Sequence, residues 1–238
     1  MKLLKCCWIR EDLENYDNID MLWFNFIESS KRYIDPEKAS KIETPSSTLR
    51  VWVFWKTSPL TFLETSPLTH LLKGEGNKWK DITKSELVDI ILTAKKARMN
   101  AIQIHWNCDF AYLKLYNFLV IQSVSIEDLI IHHSLGALPL KGVPRPLNTK
   151  GSKEFLDFYI IDWANPWSGN WYDYSKINDL NLEKNFLVAG GVNEENVWKI
   201  FEIFKENPFF CGVDIASWVD NWKNIDRGKV DKIFNLIK

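Results

Sequence analysis

The sequence predicts an α/β protein, a single (β/α)8 TIM barrel spanning residues 1–238. Short apolar runs alternate with helical patterns almost from end to end, the mark of βα units around a parallel sheet. Eight such runs can be counted, which is the strand number of the closed barrel. The length of 238 residues suits one large domain with a full core.

The elements follow in order. The first strand reads Leu3 to Cys7, and the opening MKLLKCCWI is too short for a signal-peptide core before Arg10, Glu11 and Asp12. The second, Met21 to Phe26, runs into the polar loop Ser30-Lys31-Arg32-Tyr33. The third, Leu49 to Phe54, precedes an irregular segment over 57–81, where TSPLTFLE and TSPLTHLL nearly duplicate each other over too short a unit to stack as a repeat. A helical pattern over 85–98 leads to the fourth strand, Ala101 to His105, and the fifth is Phe118 to Val124. A Pro-, Gly- and Lys-rich stretch over 136–153 reads as a loop before the sixth strand, Phe155 to Ile161, which Asp162 follows. The seventh, Phe186 to Ala189, enters Gly190-Gly191 and a helix over 193–206 capped by Asn193. The eighth is Gly212 to Ile215, and a last helix covers 227–237. The loops after the last two strands have the form of anion grips, in which backbone N–H groups at a helix start face a ligand.

Composition excludes several function classes. With 30 Lys+Arg against 31 Asp+Glu there is no basic field to hold nucleic acid or an anionic membrane surface. No apolar run approaches the roughly 18 residues that a membrane span needs. Cys6, Cys7, Cys108 and Cys211 lack any CxxC spacing, and His132-His133 adds no ligand pattern, so neither a zinc site nor a disulfide framework is expected. A reducing, cytoplasmic setting fits best.

In such a barrel the residues that end the strands converge on the substrate. Cys7 ends the first, Gln103 and His105 close the fourth, Asp162 ends the sixth, and Arg32 follows the second. A thiol, a carboxylic acid, an arginine and phosphate-binding loops suit proton transfer on a phosphorylated sugar that carries a second anion. Cys6, on the opposite side of the strand from Cys7, is expected in the core, and His105 is expected to pack or to orient its neighbours.

Eight motifs stand in register along nearly the whole chain: Lys5-Cys6-Cys7-Trp8, Trp23-Phe24-Asn25-Phe26, Ser30 to Tyr33, Val51-Trp52-Val53-Phe54, Gln103-Ile104-His105-Trp106, Asp162 with Trp167-Ser168-Gly169, Ala189-Gly190-Gly191 with Asn193 to Val197, and Asp214 to Val219. In this order they resemble the phosphoribosylanthranilate isomerase family of tryptophan biosynthesis. The resemblance implies a cofactor-free Amadori rearrangement of an N-(5-phosphoribosyl)anthranilate to the corresponding 1-deoxyribulose. Asp162 would be the general acid on the ribose ring oxygen, Cys7 the general base at C2, and Arg32 the holder of the anthranilate carboxylate. Ser168, Gly169, Gly190, Gly191, Ser217 and Trp218 would hold the phosphate, with Gln103, His105 and Asp214 completing the substrate-binding set. The expected partner is a small-molecule phosphosugar, with no metal, no nucleic acid and no membrane, in a monomer or a homodimer.

Trp8, Trp23, Trp52, Trp106, Trp167 and Trp218 all stand where the family pattern has glycine. The chain has 12 Trp against 10 Gly, about 4% glycine where about 7% is usual. Indole is the largest side chain, and glycine is used where φ is positive or a backbone must approach a ligand. A source that reads the codon UGA as glycine would produce this correlation at once, and exchange of all 12 would give 22 Gly. The alternative is a diverged barrel whose pocket is filled by aromatics, retaining binding or a partner surface without catalysis. Other phosphosugar barrels fit less well. An indole-glycerol-phosphate synthase wants a lysine at a strand end, where none of these strands has one, and a histidine-pathway isomerase wants an aspartate where the first strand ends in cysteine.

Overall fold

The computed structural model describes residues 2–9, 18–54, 82–105, 108–127, 129–130, 153–162, 173–180, 182–220 and 225–237, with Cys7 and Lys153 described in their backbone only. The segment 57–81, most of 136–153, His132-His133, Trp106 and Trp167-Ser168-Gly169 lie outside the described residues.

Eight strands pair in chain order, all parallel. They are β1 (Leu3–Trp8), β2 (Met21–Phe24), β3 (Leu49–Phe54), β4 (Ala101–Ile104), β5 (Leu119–Ser125), β6 (Phe158–Asp162), β7 (Phe186–Val188) and β8 (Phe210–Ile215), and β8 returns to β1 to close the barrel. Among the described residues the helices are α1 (Pro36–Lys41), α2 (Lys84–Lys96), α3 (Phe110–Lys114), α4 (Val197–Phe204) and α5 (Arg227–Ile237). None of them is long and apolar enough to cross a membrane.

Each expected strand is present, β3 with its expected bounds and the others with shifted ends. Lys153–Phe155 forms a 3-10 turn, so β6 starts at Phe158 and takes in Asp162 as its last residue. The helix expected from Asn193 starts at Val197 instead. Asn193 is spent on a turn: its Oδ1 accepts the N–H groups of Glu195 at 2.9 Å and Asn196 at 3.2 Å.

Period-2 alternation builds the barrel interior in layers. Met21, Val51, Ala101, Ile121, Ile160 and Leu187 form a dry floor. Two residues further along the same strands stand Trp23, Val53, Gln103, Ser123, Asp162 and Ala189, which face the open end. The outward residues of the strands, among them Leu4, Cys6, Leu22, Trp52 and Ile102, pack under the helices in the main core. Cys6 is therefore in the core, as its alternation requires.

Two features hold this frame. Arg50, on the outer side of β3, donates to the carbonyls of Arg98 (3.0 Å), Ile42 (2.8 Å), Ala39 (2.6 Å) and Ala97 (3.1 Å). It thereby ties together carbonyls at the C-terminal ends of α1 and α2, where Ala39 also accepts the Ile42 N–H at 3.2 Å. At the seam of the barrel, Gly212 pairs with Leu3 at a φ of 152°, and a Cβ there would lie 2.0 Å from the Leu3 carbonyl oxygen. Only glycine lets β8 approach β1 this closely.

Candidate active site

The strand C-terminal ends enclose a cavity of about 450 Å³ lined by Trp8, Trp23, Val53, Gln103, Ser123, Asp162 and Asp214 from seven strands and by Ala189 just after β7. Arg32, His105, Gly190, Gly191 and Ser217 complete the wall from the adjoining loops. The structure thus gathers most of the sequence-derived set at one site. Cys7 is the penultimate residue of β1, beside Trp8. Trp218 stands apart from the cavity wall, its ring 5.0 Å from Lys229 Nζ of α5.

Local sequence explains each placement. Gly190 and Gly191 have φ of 82° and 67°, a conformation that side-chain-bearing residues adopt at a cost, and this turns the chain sharply after β7. The Gly190 carbonyl accepts the Tyr174 hydroxyl at 2.7 Å, and Asn196 Nδ2 donates to the Gly191 carbonyl at 2.9 Å, so the loop is fixed from outside. Arg32 is aimed by the loop after β2, where Ser30 Oγ accepts its backbone N–H at 3.1 Å. Its Nε donates to the buried Asp220 Oδ2 at 3.1 Å, and its guanidinium stands 4.9 Å from the Trp8 ring.

At the centre lies a buried ion pair. Lys5 Nζ is 3.1 Å from Asp214 Oδ2, and both side chains are shut off from solvent. Burial drives Lys5 down to about 8 and Asp214 up to about 7, each opposed by the charge of the other. Burial, helped by the charge of Lys5, pushes His105 down to about 3, so its imidazole is neutral and suited to orienting rather than to proton transfer near neutrality. The Trp23 indole lies near enough to Asp214 to favour its carboxylate form, but no hydrogen bond of normal geometry joins them, and Trp23 Nε1 and Asp214 Oδ1 are both buried and unpaired among the described residues. The indole nitrogens of Trp8 and Trp52 and the Gln103 Oε1 share that condition.

Trp8 and Trp23 meet edge to face with centroids 4.3 Å apart and fill one side of the cavity. Regular alternation from Lys5 would turn Trp8 outward, yet Trp8 lines the cavity, and the β1–β2 register slips between Cys6 and Trp8. Sequence reasoning missed Lys5 and Ser123. Both are polar residues inside otherwise apolar strands, at positions that alternation from Leu3 and Ile121 sends inward, and that signal could have found them. Among the described residues no group of three or more His, Cys, Asp and Glu could hold a metal ion.

A sequence profile described as N-(5'phosphoribosyl)anthranilate (PRA) isomerase matches residues 82–235. The chain belongs to this family. It is an isomerase of tryptophan biosynthesis. The N-(5'-phosphoribosyl)anthranilate isomerase of Staphylococcus haemolyticus is 25% identical over 243 residues, covering 99% of this chain and 98% of the relative. The crystal structure of phosphoribosyl anthranilate isomerase from Thermotoga maritima superimposes with a TM-score of 0.62 at 22% identity, covering 99% of the isomerase described here and 98% of that chain. A phosphoribosyl anthranilate isomerase in complex with reduced 1-(o-carboxyphenylamino)-1-deoxyribulose 5-phosphate gives a TM-score of 0.61 at 22% identity, over 99% and 97% of the two chains. At these identities the structures speak for the fold.

Proposed function

We propose that the isomerase converts N-(5'-phosphoribosyl)anthranilate to 1-(2-carboxyphenylamino)-1-deoxyribulose 5-phosphate, with Asp162 as general acid and Cys7 as general base. Asp162 protonates the ribose ring oxygen, and ring opening leaves an imine at C1. Cys7, as thiolate, removes the C2 proton to give an enolamine, which tautomerises to the ketone. The thiolate is a competent base because its ordinary pKa of about 8.5 lies near working pH. The guanidinium of Arg32 faces the anthranilate carboxylate, and the turn at Gly190-Gly191 with Ser217, together with Ser168 and Gly169, takes the phosphate.

The observation that carries this reading is one cavity at the strand C-terminal ends that brings Asp162, Arg32 and the Gly190-Gly191 turn together. Growth of a strain lacking the isomerase tests it. Complementation should be lost on Cys7→Ser and on Asp162→Asn, and growth that persists with either counts against the mechanism.

A second proposal concerns the tryptophans: positions 8, 23, 52, 106, 167 and 218 are encoded by UGA and carry glycine in the protein as its source makes it. Support comes from the three buried indole nitrogens without partners among the described residues, from the β1 slip that puts Trp8 into the cavity, and from rings standing where substrate must lie. An indole N–H left unpaired in this way costs about 1–3 kcal/mol. With glycine at 8 there is no side chain to place, and alternation in β1 would continue undisturbed through Cys7. The codons decide the matter: UGG at 8, 106, 167 and 218 sinks the proposal.

A further inference from the structure

We propose that Lys5 is a positioning residue that holds Asp214 as a carboxylate in the depth of the site, so that Asp214 Oδ1 accepts a hydroxyl hydrogen from the sugar chain of the substrate. The inference rests on the phosphosugar reading above. Lys5 and Asp214 are register partners across the β1–β8 seam, and the 3.1 Å contact uses only Oδ2. Oδ1 is buried and has no hydrogen-bond partner among the described residues. Asp214 is 4% exposed and lines the cavity, whereas Lys5 is 0% exposed and stands behind it. An unpartnered carboxylate oxygen on a residue that lines the cavity is an acceptor waiting for a donor, and it opens to the cavity once the Trp23 indole beside it moves aside. A ring-opened pentose phosphate offers hydroxyl donors of that kind.

Why the site needs a lysine follows from the charges around Asp214. Asp162 on β6 acts on it as a like charge and, with burial, favours its neutral form. The Trp23 indole and Lys5 favour the carboxylate, and Lys5 is the larger influence. The other titratable groups that interact with Lys5 are Cys6, on its own strand, and His105 at the end of β4, which burial keeps neutral. With Lys5 uncharged, Asp214 would take up a proton near neutral pH and lose its role as an ionic acceptor. Lys5 touches substrate nowhere in this scheme and acts only through Asp214.

The test pairs Lys5→Met with Asp214→Asn, reading KM and kcat from pH 6 to 9 and the carboxyl titration of Asp214 by carbon NMR. In Lys5→Met the Asp214 midpoint should rise by about one pH unit or more, with KM at pH 7 raised about 5-fold or more and kcat changed far less. That KM penalty should shrink toward pH 9, while the penalty in Asp214→Asn should grow from pH 6 to 9 as Asp214 of the parent ionises. Should Lys5→Met fail to fold, Lys5→Gln, which retains an N–H donor without the charge, carries the same test. A lower melting temperature with an unmoved midpoint and an unmoved KM would overturn the inference and make the pair purely structural. A parent chain that never turns over N-(5'-phosphoribosyl)anthranilate rejects the phosphosugar reading and, with it, the sugar-hydroxyl role. The NMR midpoint then still decides whether Lys5 sets the charge of Asp214.

Discussion

Replacing both Trp8 and Trp23 by glycine should raise kcat/KM for the phosphoribosyl substrate. For a ligand to occupy the side of the cavity where these rings lie, it must displace them from each other and from two cations. The edge-to-face pair at 4.3 Å is worth about 0.5–1.5 kcal/mol beyond its burial. Lys5 Nζ stands 3.5 Å from the Trp23 ring and Arg32 4.9 Å from the Trp8 ring, contacts worth about 0.5–1 kcal/mol each. Together roughly 1.5–3.5 kcal/mol opposes substrate entry, which corresponds to about 10- to 400-fold in kcat/KM. The same change removes two buried aromatic side chains, so the melting temperature should fall even as activity rises. Steady-state turnover by the double variant and its parent, with circular dichroism to show that both are folded, makes the comparison. A folded double variant whose kcat/KM equals or falls below that of the parent would refute the reasoning.

Three further outcomes are expected. Gly212→Ala should lose several kcal/mol of stability in denaturant unfolding, because its Cβ would meet Leu3 backbone 2.0 Å away, far inside any contact that relaxation can relieve. Arg50→Met should cost about 3–4 kcal/mol, since the carbonyls of Arg98, Ile42 and Ala97 lose this donor at once and Ala39 keeps only the Ile42 N–H, and an unfolding free energy within about 0.5 kcal/mol of the parent would contradict that. His105, lowered from 6.5 to about 3 by burial, takes up its proton more readily in the unfolded chain, so stability falls as pH drops through that window by roughly 1.4 kcal/mol per unit. His105→Asn should therefore show a shallower loss of stability between pH 6 and 4 than the parent.

The barrel was legible because its strands are short apolar runs whose inward residues must be small or branched, as Val51, Ala101 and Ile121 are. Strand ends were less legible, for a physical reason. The start of β6 depends on whether the backbone before Asp157 pairs or turns, and the Asp157 carboxylate decides it by accepting the Val120 N–H at 2.7 Å, a contact 37 residues away in sequence. Asn193 likewise reads as a helix cap, yet the two N–H groups it takes belong to a turn, and the helix waits until Val197. Asp162, Arg32 and the Gly190-Gly191 turn could be read from motif order. Alternation alone points Lys5 inward, but its role was not legible, because the carboxylate that balances its charge, Asp214, lies 209 residues later. Trp8 defied alternation altogether, since a one-residue slip in β1 moves a side chain from one face of a strand to the other.

The junction of β1 with β8 has a kinetic consequence. It joins the first strand of the chain to the last, with Leu3 against Gly212 and Lys5 against Asp214. While the chain emerges from the ribosome, seven strands can assemble in sequence as neighbours, but the sheet keeps two open edges until β8 arrives. During that interval Lys5 stands at an edge without its carboxylate. The step that removes the edges is therefore the same one that completes the ion pair in the depth of the site. Ligand-binding competence and protection against edge-to-edge association should appear together, and last, as the chain is synthesised, in any experiment that follows both on nascent chains of increasing length.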